Sequence, residues 1–393
     1  MTPGRLLAHG LGGRSDLPVP LWLAQYGAAA ALLVSFTVLG VFWRTPRLEG
    51  AAAREGRPLP DWVQRFADAR ATRVGLRMLG LLLALVTVAV AALGPNNSGA
   101  NPAPTWLYVW FWVGLVPASL LLGPIWRLLN PLRTISAGLS RLAGDPDQRH
   151  ARARGDAFEV YSTLIAHLCP FGRRSDGRLG LRNPLTGLAG LRPEPGLVAV
   201  VCTLLGSTAF DGLSRTRWWT DLTLDLAPAA STLAGTAGLL ACVGIVAVTY
   251  TAATRAARQY RRARPGDDAD DRLERQFVHS LVPILIGYTI AHYFSLLLFQ
   301  GQMGYILGAD PFDRGWDLFG TADRKMNLVL ISTSAIALIQ VGAIVFGHIL
   351  GVVAAHDRAI ALFRGRDTLR AQTLLLATMV FYTLSGIALL VGT

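Results

Sequence analysis

Eight runs of roughly twenty apolar residues decide what this chain can fold into. A helix of that length, rising about 1.5 Å per residue, crosses the ~30 Å hydrocarbon core of a bilayer. The runs lie at roughly 21–43, 75–93, 105–126, 195–213, 229–252, 276–300, 327–356 and 372–391. Composition agrees with them. The 393 residues are 52% hydrophobic and 16% charged, with a mean hydropathy of +0.40, whereas a soluble domain carries about 25% charged residues. The expectation is an all-α, polytopic integral membrane helical bundle of about eight transmembrane helices. Trp22 and Trp43 bracket the first run, where indole suits the membrane–water boundary.

A net charge of +12 and a pI near 10.4 would point to nucleic acid in a soluble protein. Here the basic residues separate by side instead. Loops 44–74, 127–194, 253–275 and 357–371 hold 7, 11, 7 and 4 arginines. The N-terminal arm and loops 94–104, 214–228 and 301–326 together hold 7 of the chain's 37 Lys and Arg. Rich and poor loops alternate, so the positive-inside rule puts both termini outside. The basicity is a topology signal. It implies a lipid bilayer as partner and no nucleic acid.

Three segments follow. Residues 1–126 form an outer arm and spans one to three, 127–194 an Arg-rich cytoplasmic connector, and 195–393 spans four to eight with an outer polar site. The leading stretch Met1 to Ala8 is short for a signal-peptide core, so span one reads as a retained anchor. In the connector, "RGDAFEVYSTLIAHLCPFG" reads as an amphipathic helix on the inner membrane surface. The connector has no CxxC, HExxH, P-loop or GxSxG pattern. Cys169, Cys202 and Cys242 lack the spacing of a disulfide framework or a thiolate metal site. The outer stretch 301–327, rich in Gly, Pro, Trp, Phe and Asp, reads as a folded loop.

The sixth run carries the sharpest clue, "GYTIAHYFSLLLFQGQ" at 287–302. Ionisable groups inside spans are rare and face the bundle interior or a partner. Tyr288 and His292 are four residues apart and share a helix face with Ser295. Asp211 falls at the outer end of span four and Gln302 at that of span six; the outer arm adds His9, Arg14 and Asp16. The pattern makes His292, Asp211 and Tyr288 the catalytic candidates. Arg14, Gln302, Asp310 and Trp316 are candidates for substrate binding, and His9, Asp16 and His292 for a divalent metal ion. Imidazole with carboxylates suits such an ion, and it equally suits proton transfer or plain hydrogen bonding between helices. The cofactor is undetermined. His348 and His279 read as neighbours deeper in the membrane, with Gly347 and Gly351 allowing close helix approach, and His356 reads as an interfacial residue.

Five stretches, "HGLGGRSDLPVPLWL", "GSTAFDGLSRTRWW", "PILIGYTIAHYFSLLLFQGQ", "DPFDRGWDLFGTAD" and "GHILGVVAAHDRAIALF", together resemble a family of bacterial polytopic membrane proteins. Its members are labelled membrane-bound fenitrothion (organophosphorus) hydrolases. The resemblance runs from His9 to about Phe363; the family carries further hydrophobic sequence in the central loop, where this chain has "AGDPDQRHARARG". It implies a multi-pass protein of the bacterial plasma membrane that hydrolyses a lipophilic phosphotriester. Such a reaction needs a base or metal to activate water and positive charge to steady the phosphoryl oxygens.

Overall fold

A computed structural model describes residues 17–49, 56–143, 156–261 and 272–391. The protein is an all-α polytopic membrane protein. Seven helices are long and apolar enough to span a bilayer: Leu21–Phe42, Arg70–Leu93, Ala103–Leu122, Pro228–Tyr260, Leu273–Ala309, Thr333–Leu362 and Asp367–Leu390. The fourth apolar run lies in a shorter helix that is followed by a sharp bend. Helix Leu197–Leu213 ends at the polar residues 214–216, and Arg217–Thr223 leaves at 80° to it. The bend is local chemistry: the Thr216 hydroxyl, already outside the first helix, accepts the Trp219 N–H and caps the second.

Other boundaries have equally local causes. Pro228 opens its helix at a position where the missing N–H costs nothing. Ser332 caps Thr333–Leu362 by accepting the Ala335 N–H. Asp156 caps Ala157–Ala166 by accepting from Phe158 and Glu159.

Contacts divide the chain into two compact units, one including Arg54–Gly187 and Ser295–Leu330, the other Gly12–Ala53, Leu188–Phe294 and Ile331–Thr393. Residues 127–143 and 156–187 share a unit with 56–126.

In the second unit, Leu21–Phe42, Thr333–Leu362 and Asp367–Val391 pack pairwise, and Leu197–Leu213 packs along Pro228–Ala256. Ala28, Tyr288, Ala291, Ile344 and Ile387 form one buried apolar cluster. The glycines at 347 and 351 do what their spacing suggests. A Cβ on Gly347 would sit 2.6 Å from Pro283 O, and one on Gly351 2.7 Å from Ser280 O, so these two helices touch through backbone.

In the first unit, Trp106–Val113 is wound as a π-helix before the α-helix Leu115–Leu122. Its indoles Trp106 and Trp110 donate to the carbonyls of Gly304 and Gly301, 2.7 and 2.8 Å away. A Cβ at Gly304 would overlap the Trp110 ring. Three short strands, β1 (Arg57–Pro58), β2 (Phe171–Arg173) and β3 (Leu179–Leu181), form an antiparallel sheet in the order β1-β3-β2. The segment around Ala157–Ala166 departs from its sequence reading. The helix is shorter and ends before β2, and Glu159, Tyr161, Ser162, Leu164 and Ile165 are buried. Glu159 explains the difference, because Arg133 grips its carboxylate with two 2.6 Å hydrogen bonds and Arg127 adds a second cation 3.2 Å away. A paired carboxylate tolerates burial that a lone one does not.

Candidate functional site

The Asp211 carboxylate is where polar groups from two helices meet. Asp211 lies in the last turn of Leu197–Leu213, where the negative end of the helix dipole disfavours a carboxylate. A hydrogen bond offsets this: the Tyr293 hydroxyl donates to Asp211 Oδ2 over 2.6 Å. His292 Nε2 lies 3.8 Å from the same oxygen. That is beyond a direct hydrogen bond and within the span that a water or a substrate hydroxyl bridges. The His292 and Tyr293 rings meet edge to face, with centroids 4.7 Å apart, which fixes the imidazole. The side chain of His292 is 2% exposed and that of Asp211 39% exposed. The carboxylate is therefore the open side of the pair, with the imidazole behind it. This arrangement can hold a water at one oxygen and take a proton from it at a shielded nitrogen.

Two of the three residues singled out as catalytic candidates come together, His292 and Asp211. The third does not join them. The Tyr288 ring lies in the apolar cluster with Ile344 and Ile387 and covers Gly386. Tyr293 is the tyrosine on Asp211, and a search for same-face neighbours four residues apart passes over it. Adjacent helical residues point about 100° apart; Asp211 approaches between those two directions. The signal available was adjacency itself, a hydroxyl next to His292 in an apolar run.

The remaining candidates divide. His9, Arg14 and Asp16 lie outside the described residues. Gln302, in the other unit, is buried; its amide accepts the Asn327 N–H at 2.8 Å and donates to Asn327 O at 3.0 Å. Asp310 folds the loop after Leu273–Ala309, accepting from the N–H groups of Arg314 and Gly315. Asp317 does the same for Thr321 and Ala322. Trp316 is partly exposed and shares the Arg314 guanidinium with Phe312, 5.9 Å from each ring centroid. Gln302 and Asp310 thus carry structural bonds that their sequence context does not reveal, and the loop is folded as its composition suggests. Among the described residues, no group of three or more His, Cys, Asp or Glu is gathered to hold a metal ion.

A second polar cluster went unnoticed in the sequence. Asp357, 1% exposed, accepts from Trp43 Nε1, Arg47 N and Leu48 N at 2.8, 2.7 and 3.1 Å. Next to it, His356 lies 3.2 Å from both Gln372 Oε1 and Trp43 O. His356 is therefore a buried fastening between helices. Its neighbour Arg358 reaches Glu49, Gln276 and Ala189 O. This cluster ties residues 43–49 to the helix Thr333–Leu362. Each carboxylate oxygen of Asp357 accepts at least one donor from residues 43–48, which suits anchorage.

No family model, no curated protein and no solved structure matches the chain.

Proposed function

We propose that the protein is a hydrolase of the bacterial plasma membrane acting on a lipophilic ester of the phosphotriester class. In this reading Asp211 and His292 activate the attacking water. The observation that supports it is the shared oxygen: Asp211 Oδ2 takes the Tyr293 hydroxyl and faces His292 Nε2 at 3.8 Å. Water held at the part-exposed carboxylate gives a proton to His292 as its oxygen attacks phosphorus. The P–O bond to the leaving group breaks, and His292 returns the proton to that group. The Tyr293 bond fixes the carboxylate through both steps. The activity itself comes from the resemblance of the five sequence stretches, and the alternating arginine content of the loops supports a site on the outer face.

A second reading is favoured by the described residues bringing a single imidazole to a single carboxylate: such a pair can pass protons along a pathway without hydrolysing anything. Purified protein in lipid nanodiscs, assayed on a lipophilic phosphotriester with and without added divalent metal, separates the two. Under the hydrolase reading His292→Ala lowers kcat by about 10²–10⁴, the usual contribution of a positioned acid–base group, and Asp211→Asn lowers it too. Equal turnover by wild type and His292→Ala removes His292 from the chemistry. No turnover by wild type, together with proton movement in liposomes that requires His292, establishes the second reading instead.

A further inference from the structure

Two amphipathic helices of the first unit present apolar faces that nothing described in that unit covers, and arginines stand beside both. Helix Asp61–Asp68 exposes Trp62 and Phe66, each 67% accessible and one turn apart. Its other side is tied down: Gln64 pairs with both the N–H and the carbonyl of Leu179, Arg178 reaches Asp61, and Arg173 holds Asp68. Helix Pro131–Ala143 exposes Leu132, Ile135 and Leu139, which fall on one face at 100° per residue. Arg133 on its flank is held by buried Glu159. In both helices, therefore, the polar side is fastened to the unit and the apolar side is turned out.

Both helices pack against the spanning helix Arg70–Leu93. Asp61–Asp68 joins it through Ala69 alone, in an extended conformation that lets the chain change direction. Leu129, two residues before the second helix, lies against Gly80 of the same span. Arg65, Arg70 and Arg73 are all exposed where the first helix meets the span. A tryptophan and aliphatic side chains at the start of a span, with arginines around them, fit the boundary between headgroups and acyl chains.

We infer that this face binds the bilayer surface on the arginine-rich side, with Trp62, Phe66, Leu132, Ile135 and Leu139 inserted and Arg65, Arg70 and Arg73 on anionic phospholipid headgroups. The partner is lipid. A soluble domain would not need the patch to begin one residue from a membrane span, and the arginines match the anionic lipid of an inner leaflet.

The test places a photoreactive benzophenone side chain at position 62, at 135, or at 176 on the exposed hairpin turn, each in otherwise native full-length protein. The proteins are reconstituted in nanodiscs of phosphatidylcholine alone or mixed equally with phosphatidylglycerol. Adducts are identified by mass spectrometry after illumination. Positions 62 and 135 give phospholipid adducts and 176 does not. The yield at 62 rises with phosphatidylglycerol, and Arg65→Gln reduces that rise by up to about fivefold, the value of one arginine near an anionic surface. The inference is overturned if 62 and 135 yield no more lipid adduct than 176. It is likewise overturned if the adducts are with protein, or if the yield ignores both phosphatidylglycerol and Arg65.

Discussion

His292 and Tyr293 leave their helix in directions about 100° apart and still converge on one oxygen of Asp211. That convergence is what a residue-by-residue reading of an apolar run cannot supply. The histidine was legible because an imidazole in such a run is costly and needs a reason, and the aspartate because it falls at the end of the fourth run. Which tyrosine served them was not legible, since helical periodicity favoured Tyr288, and Tyr288 packs in the core. Asp357 was hidden for the opposite reason. "HDR" at the end of a span reads as an interface, and only the fold shows three donors closing on a buried carboxylate. Asp357→Ala leaves those donors without their acceptor. The expected loss is about 3 kcal/mol, read as lowered thermal stability in detergent. His167 adds a pH dependence of known sign. Burial holds its pKa below the ordinary 6.5, and its Nδ1–H donates to Thr163 O. The unfolded chain therefore takes up a proton at this residue before the folded protein does. Stability contributed here is intact above about pH 6.5 and falls as the pH drops below it towards the lower folded pKa. His167→Gln should flatten the fall in thermal stability on the acid side while leaving it little changed near about pH 8.

At the scale of elements, apolar length located the spans well, and the exceptions are instructive. Seven of the eight runs lie in helices long enough to cross; the fourth ends at Leu213, and the chain bends at 214–216, where Thr216 caps the next helix. Length and hydropathy carry no record of that cap. The helix Ala157–Ala166 is buried through Glu159, while the amphipathic faces turned outward belong to Asp61–Asp68 and Pro131–Ala143. An amphipathic pattern shows that two faces differ, and what packs on each is decided by the rest of the chain. The glycine pattern at 347 and 351 did transfer directly, since close backbone approach has few other solutions. Gly347→Leu should push apart the helices that meet at Pro283 and Gly287, costing about 1–3 kcal/mol or preventing folding. Gly342→Leu on the same helix meets open space and should leave the yield of folded protein unchanged. Equal yields from the two variants would mean that the helices do not touch there.

At the scale of the whole molecule, the arginine-rich loops and the bend after the fourth run make one combined statement. Asp211 sits beside that bend, at the end of span four, which the charge alternation assigns to the outer face. A site there would meet substrate from outside the cell or from the outer leaflet. The measurement that bears most directly on the account is hydrolysis of a membrane-impermeant phosphotriester by sealed vesicles of each orientation, containing either wild type or His292→Ala. The account expects right-side-out wild-type vesicles to turn over the substrate, inside-out vesicles to do so only after permeabilisation, and His292→Ala to fail in both. Hydrolysis confined to sealed inside-out vesicles, or undiminished in His292→Ala, would contradict it.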